Sequence, residues 1–238
     1  MKRIIRKKDI QTAWMLCQTM YVNGHIQSFA DTVYLHILSH KVKFPLLEYV
    51  AQEMYVFLPQ GMHISFCDQI ERFKSEGGNV LLGKLLQLRM ADHFDESLRK
   101  AVEYISNTTI WYVCDIIGER VFGYGLLHFP SKMLPEFQTL SSHHSNWVIR
   151  ALGAGMHYAI KKGLEKSLTA TLFEVLLGMA HTNDKEVRQG VGWAAKTTAR
   201  YHPDIIVRFE RQIQAQVPNW FRKKIEIGLI RNHHAQGD

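Results

Sequence analysis

Apolar residues recur at three- and four-residue spacing along almost the whole chain, and no segment shows a sustained alternation of apolar and polar residues. Ile10, Trp14 and Cys17, for example, fall on one face of a helix. The chain is therefore predicted to be all-α. The predicted helices span 9–23, 28–39, 44–58, 64–75, 79–91, 95–106, 109–123, 131–142, 145–162, 165–181, 185–201, 203–216 and 218–232.

The second half of the chain is periodic. Helices beginning near Thr109, Asn146, Lys185 and Asn219 are spaced by roughly 34–39 residues, which is typical of helical repeats, and each carries a tryptophan. Short connections favour antiparallel neighbours. We predict a right-handed solenoid of antiparallel helix pairs (HEAT-like repeats), whose equivalent helices line one concave surface. A non-repetitive helical bundle is the alternative.

The predicted organisation is one domain over residues 1–238. Its N-terminal helices, residues 1–75, show no clear repeat, whereas residues 76–234 form the repeats. The doublet Gly77-Gly78 is predicted to be a turn. The segment that follows it matches most of a phosphate-binding loop, but it lacks the final Ser or Thr and no strand precedes it, so we interpret it as an apolar helix.

The net charge of +7 is unevenly distributed. Between Arg150 and Arg231 the chain has 14 basic and 7 acidic side chains, whereas residues 1–110 have 13 and 11. A basic surface concentrated in one half indicates a polyanionic partner, although many basic proteins bind no nucleic acid.

The composition favours a cytoplasmic protein, which we expect to be a monomer. No apolar run is long enough to span a membrane, and polar residues follow the basic N-terminus where a signal peptide is apolar. Cys17, Cys67 and Cys114 are far apart and predicted to be reduced core thiols. His36 and His40 share a helix face, but no Glu, Asp or Cys completes a metal site, so we expect neither a metal nor a cofactor.

Trp111 and Asp115 lie one helical turn apart on one face of a predicted helix. Apolar residues surround Asp115, and a buried carboxylate without a partner is costly. Two interpretations stay open from this pattern alone. Asp115 is either a functional acid or a structural one that pairs with Arg120 or Arg150.

Three segments carry a resemblance to a known family. They are Trp111-Tyr-Val-Cys-Asp115, Asn146-Trp-Val-Ile-Arg150 and Val191-Gly-Trp193-Ala, the last followed by Tyr201-His-Pro-Asp and Arg208-Phe-Glu. From about residue 80 to residue 232 the chain resembles the AlkD-type DNA alkylation-repair glycosylases. The resemblance implies an active cleft formed by Trp111, Asp115, Arg150 and Trp193.

The implied activity is hydrolysis of the N-glycosidic bond of N3- and N7-alkylated purines in DNA. Such a base is a cationic leaving group, so an anionic Asp115 beside the sugar stabilises the oxocarbenium-like transition state and orients water. Trp111 and Trp193 pack against the deoxyribose, and Arg150 holds a phosphate. No general acid is needed, which agrees with the lack of a second candidate carboxylate nearby.

Further basic residues are candidate contacts to the DNA backbone, with solvated side chains as the alternative. They are Arg188, Lys196, Arg200, Arg222 and Lys223. The first 75 residues do not show the family's usual N-terminal region, and none of the tyrosines there stands out as its expected aromatic residue. A non-catalytic DNA-binding member of the same family is therefore the alternative function, and a helical protein–protein scaffold is a third possibility.

Overall fold

The structure is a computed structural model that describes residues 3–236, with side chains up to residue 232. It is helical except for two strands of two residues each within that range, which confirms the predicted all-α class. The chain divides into two compact units, Met1–Tyr104 and Ile105–Asp238, which we describe separately. The one-domain organisation, the solenoid arrangement and its handedness stay predictions.

The N-terminal unit packs its helices around an aromatic core. Trp14 is buried and meets the rings of Phe29 and Phe57 edge-on, with centroids 6.2 and 5.6 Å away. Strands β1 (Arg3–Ile4) and β2 (Lys41–Val42) pair in parallel. The α-helices are α1 (Lys7–Thr19), α2 (Ile26–Val33), α3 (Phe44–Phe57), α4 (His63–Glu71), α5 (Glu76–Arg89) and α6 (Phe94–Ser106), with a π-helical turn at Tyr34–Leu38 and a 3-10 turn at Gln60–Met62.

The predicted turn at Gly77-Gly78 is wrong, because both glycines lie in the first turn of α5. The helix begins earlier because Ser75 caps it, its hydroxyl accepting a hydrogen bond from the Gly78 N–H at 3.1 Å. Close packing also explains the glycines. A Cβ atom at Gly77 would lie 3.3 Å from the side chain of Leu47. The prediction that this segment is a helix and not a phosphate-binding loop is confirmed.

The C-terminal unit contains the four helices for which a repeat is predicted. Its helices begin at Trp111, Asn146, Lys185 and Asn219, close to the predicted positions. They are α7 (Trp111–Ile117), α8 (Tyr124–His128), α9 (Pro130–Leu140), α10 (Asn146–Lys161), α11 (Lys166–Met179), α12 (Lys185–Tyr201), α13 (Pro203–Arg208), α14 (Glu210–Gln216) and α15 (Asn219–Gln236). A π-helical segment, Gly118–Gly123, joins α7 to α8. The single helix predicted over 203–216 is divided at Phe209.

Five of these elements form a row of direct neighbours. Helix α10 contacts α7 and the π-helical segment on one side and α12 on the other, and α12 contacts α15. Helices α9, α11 and α13 pack against this row. The α-helices of the row carry the predicted site residues. The contacts between these helices therefore determine which of those side chains meet.

Glycines bring the backbones of the row into contact. A Cβ atom at Gly153 of α10 would lie 2.1 Å from the carbonyl carbon of Gly190 on α12, and one at Gly190 would lie 2.2 Å from the carbonyl oxygen of Arg150. At Gly228 of α15 it would lie 2.3 Å from the carbonyl oxygen of Lys196. Only residues without a side chain permit this approach, so the glycines set the spacing of α10, α12 and α15.

The three cysteines are free and buried, as predicted. None of the helices between residues 3 and 236 has the length and apolar character required to span a bilayer. The cytoplasmic location and the monomeric state stay predictions.

Candidate functional site

Helix α7 places an exposed indole and a buried acid on one face. Trp111 is the first residue of the helix and is 55% exposed. Asp115 follows one turn later, and its side chain is only 10% exposed. The site therefore has an open edge at the tryptophan and a covered interior at the aspartate.

Arg150, on the next helix of the row, holds Asp115 in a two-point ion pair. Its Nε donates to Oδ1 of Asp115 at 2.9 Å, and its Nη2 donates to Oδ2 at 2.7 Å. The arginine side chain is 5% exposed. This fork is the strongest geometry for an arginine and a carboxylate. Of the two partners considered for Asp115, Arg150 is the one that pairs with it, and Arg120 donates to the carbonyl oxygen of Ile116.

A second carboxylate completes the site, and the expectation that none lies nearby is wrong. Nη1 of Arg150 donates to Oε2 of Glu186 at 2.5 Å, and the Glu186 side chain is 22% exposed. Glu186 lies in the first turn of α12, where Asp184 caps the helix by accepting hydrogen bonds from the N–H groups of Glu186 and Val187 at 2.8 and 2.9 Å. The predicted start of this helix near Lys185 is thus confirmed, and it places Glu186 beside the arginine.

Two indole rings lie beside the guanidinium. Its central carbon is 5.6 Å from the ring centroid of Trp111 and 6.0 Å from that of Trp193, both within the range of a cation–π contact. Trp193 also lies 5.7 Å from the ring of His157. Trp111, Asp115, Arg150 and Trp193 therefore come together, with Glu186 as a fifth member. We call these five residues the indole–carboxylate cluster.

The charged side chains of this cluster, two carboxylates and one guanidinium, carry a net charge of −1 when all are ionised. Outside the cluster, Nζ of the exposed Lys185 lies 3.8 Å from Oε1 of Glu186. Although burial alone lowers the pKa of Arg150, the hydrogen bonds to Asp115 and Glu186 raise it above its usual value. The arginine is therefore a permanent cation. Burial, followed by the charge of Asp115, raises the pKa of the neighbouring Cys114 thiol to about 12, so that this cysteine is no nucleophile at neutral pH.

The remaining DNA-contact candidates are spread over α12 and α15. Arg188 donates to the Thr182 carbonyl at 2.9 Å, and its guanidinium lies 5.5 Å from the ring centroid of Trp220. Arg222 donates to the carbonyl of Gln214 at 3.4 Å. Lys223 is exposed.

Only Lys196 and Arg200 share a site, since both line a cleft near the end of α12. Contact of these five residues with DNA stays a prediction.

No group of three or more His, Cys, Asp and Glu side chains among residues 3–232 is arranged to hold a metal ion. His36 and His40, the pair considered for a metal, lie at the end of the π-helical turn and just after it, where Nδ1 of His40 is 3.1 Å from the Ser39 hydroxyl.

Sequence reasoning missed Glu186, although a signal for it existed. Glu186 precedes Trp193 by two helical turns and therefore lies on the same face of α12. Acidic residues are common in the first turn of a helix, where they interact with the helix dipole, so the position of Glu186 alone does not indicate a functional residue.

One of three comparisons with known proteins gave a match. The family model described as "DNA alkylation repair enzyme" matches residues 80–224, a range that contains all five residues of the indole–carboxylate cluster. A comparison with curated proteins gave no match, and one with solved structures gave none either. Because the matched range covers more than half of the sequence, this chain belongs to the DNA alkylation repair enzyme family.

Proposed function

We propose that the protein is a DNA glycosylase that releases N3- and N7-alkylated purines by hydrolysis of the N-glycosidic bond. The observation that carries the proposal is the indole–carboxylate cluster, in which two carboxylates and one guanidinium lie beside two indole rings and have a net charge of −1. An anionic, aromatic-walled site is suited to a reaction that develops positive charge on a sugar.

In the proposed reaction the bond between C1′ and the purine nitrogen breaks, and its electron pair goes to the base. An alkylated purine leaves as a neutral molecule, so the reaction needs no acid to protonate it. Water adds to C1′ and its proton passes to solvent or to a carboxylate. Asp115 and Glu186 stabilise the positive charge on the sugar, as carboxylates do in glycoside hydrolysis.

We assign different roles to the two carboxylates and to the arginine. Glu186 is the more exposed acid and is placed to orient the water, whereas Asp115 lies deeper and supplies charge. Arg150 is a positioning residue, because three of its N–H groups are used by these carboxylates and little of it is exposed. In this proposal Arg150 holds the two carboxylates and does not contact a phosphate, although the family resemblance implies that it would.

Trp111 and Trp193 are proposed to pack against the deoxyribose of the damaged nucleotide. Trp111 is the more accessible of the two and forms the edge at which DNA enters. An aromatic face attracts partial positive charge, so both rings favour the transition state, in which the sugar becomes positive, over the bound substrate, in which the charge lies on the base.

The experiment measures the release of 7-methylguanine from a methylated duplex by the wild type and by Asp115→Asn. We expect release by the wild type and a loss of about 10²-fold or more in the variant, since a charge aimed at the transition state is removed. The matched control is Asp204→Asn, which neutralises an acid in an exposed ion pair with Lys166. Circular dichroism and thermal melting establish that each variant is folded. A wild type that releases no base contradicts the proposal.

A second candidate is a DNA-binding member of the family without catalytic activity. The observation that favours it is the two-point ion pair, which engages both oxygens of Asp115. This candidate predicts that the wild type binds the methylated duplex tightly and releases no base. Measuring binding and release on one substrate therefore separates the two functions.

A further inference from the structure

A second group of charged residues lies further along α10 and α12, beyond Trp193. His157, Lys161, Lys196, Arg200 and Arg231 line a cleft of about 160 Å³ together with Thr197 and Tyr201. These residues come from three neighbouring helices of the row, α10, α12 and α15. We call this group the basic cleft.

The basic cleft gathers like charges without a carboxylate among them. Within residues 3–232, none of its lysines and arginines forms an ion pair with an acidic side chain. Burial, followed by the charges of Arg231 and Lys224, lowers the pKa of Lys196. Lys196 is half-buried, whereas Lys161, Arg200 and Arg231 are exposed. The cations repel one another, and an anion bound among them offsets that repulsion.

His157 connects the basic cleft to the indole–carboxylate cluster. Its Nδ1 is 2.6 Å from the hydroxyl oxygen of Thr197, and its ring centroid is 5.7 Å from that of Trp193. Thr197 follows Trp193 by one helical turn, a rise of about 6 Å at 1.5 Å per residue. One DNA strand rises about 3.4 Å per nucleotide, so this step corresponds to one or two nucleotides.

The cleft has a volume of about 160 Å³, which is enough room for one phosphate group. Arginine and lysine donors converging on such a volume match the oxygens of a phosphate.

We propose that the basic cleft binds a single phosphodiester group of the DNA strand, one or two nucleotides from the deoxyribose that packs against Trp193. This inference deepens the proposed function and rests on DNA as the ligand. It does not rest on base release, because the same phosphate is held whether or not the glycosidic bond is cleaved.

The test uses the full chain and an undamaged duplex whose binding is followed by fluorescence anisotropy from 50 to 200 mM salt. The double variant Lys161→Gln, Arg231→Gln removes two charges from the cleft. Its matched control, Lys162→Gln with Arg211→Gln, removes two exposed charges that do not line the cleft. For the cleft variant we expect about tenfold weaker binding than for the control. The slope of the logarithm of the binding constant against the logarithm of the salt concentration is expected to be smaller in magnitude by about 0.9, the value for one phosphate contact.

A second measurement follows the imidazole resonances of His157 by nuclear magnetic resonance. Adding the duplex is expected to shift them in the wild type and not in the cleft variant. Inorganic phosphate, tested against chloride at equal ionic strength, serves as the probe for a small free anion. If inorganic phosphate shifts these resonances and the duplex does not, the cleft takes a free anion and the proposal is overturned.

The failures of the two proposals are distinguishable. Equal affinities and equal salt slopes for the cleft and control variants overturn this inference, even when the wild type releases 7-methylguanine. A wild type that releases no base, but loses affinity when the cleft charges are removed, contradicts the glycosylase proposal and leaves the phosphate site in place.

Discussion

Arg150 and Asp115 are joined by two parallel hydrogen bonds, of 2.9 and 2.7 Å, although 35 residues separate them in the chain. The third connection of the arginine, to Glu186, ties helix α12 to the same point. One guanidinium thus links three helices of the row and fixes both carboxylates.

Removing the arginine is expected to destabilise the protein strongly. Arg150→Met leaves the largely buried carboxylate of Asp115 without a partner, which lowers the free energy of unfolding by about 3–5 kcal/mol. The double variant Arg150→Met, Asp115→Leu recovers part of this loss, because the unpaired charge is gone. Urea unfolding at pH 7 measures both. The control is Arg99→Met, whose ion pair with Glu103 is exposed and contributes about 1 kcal/mol or less. Equal losses for the two arginines are incompatible with the prediction.

Glu186→Gln is expected to lower the rate of base release while leaving the fold intact. The amide oxygen still accepts a hydrogen bond from Arg150, but the net charge of the indole–carboxylate cluster changes from −1 to zero. Single-turnover release of 7-methylguanine falls about tenfold or more, whereas the melting temperature stays within a few degrees of the wild type. Glu174→Gln, an exposed acid on α11, is the matched control. A rate equal to that of the wild type removes Glu186 from the mechanism.

The close packing of α10 and α12 predicts opposite effects for two glycine substitutions. Gly190→Ala places a methyl group 2.2 Å from the Arg150 carbonyl oxygen and is expected to lower the free energy of unfolding by about 2–3 kcal/mol. Gly178→Ala, in a helix and with no atom within 4 Å of the new methyl group, is expected to raise it by about 0.5–1 kcal/mol. Chemical unfolding of both variants checks the signs, and destabilisation by both contradicts the argument.

His157 is expected to make the protein less stable as the pH falls. Burial, followed by the charges of Lys161 and Lys196, lowers its pKa from 6.5 to about 4. Between these values the unfolded chain binds a proton that the folded protein does not, so the stability due to this residue is present above pH 6.5 and decreases towards pH 4. Thermal melting across this range measures the effect. The variant His157→Gln is expected to lose the part of the pH dependence that is due to this residue. A proton titration of His157 centred near pH 6.5 in the folded protein disproves the prediction.

The helices were predictable because burial imposes a period on the sequence. The predicted segment 185–201 has the observed bounds of α12, since Asp184 caps its start and apolar residues mark its buried face. The turn predicted at Gly77-Gly78 is wrong because neighbouring residues override the usual preference of glycine. Glycine usually interrupts helices, but here the cap at Ser75 and the nearby Leu47 side chain favour a helix through both residues. The sequence predicts one helix over 109–123 and does not indicate that Gly118–Gly123 is π-helical.

The site was only partly predictable. The spacing of Trp111 and Asp115 on one helix turn indicated a shared face, and the family resemblance added Arg150 and Trp193. The pairing of Asp115 with Arg150 and of Arg150 with Glu186 depends on how neighbouring helices are aligned, which sequence spacing does not encode. The basic cleft was missed as a unit for the same reason, since its residues come from three helices and only Lys196 and Arg200 had been singled out.

The glycine contacts between α10, α12 and α15 have a consequence for how such a protein can change its ligand. Because main-chain atoms and not side chains set the spacing of these helices, residues on the exposed face can be exchanged without altering that spacing. A new preference for a lesion, or the loss of catalysis with DNA binding retained, then requires a few surface replacements and no rearrangement of the scaffold. In these helices the side chains on the exposed face can change the function, whereas the main-chain atoms at the glycines maintain the architecture.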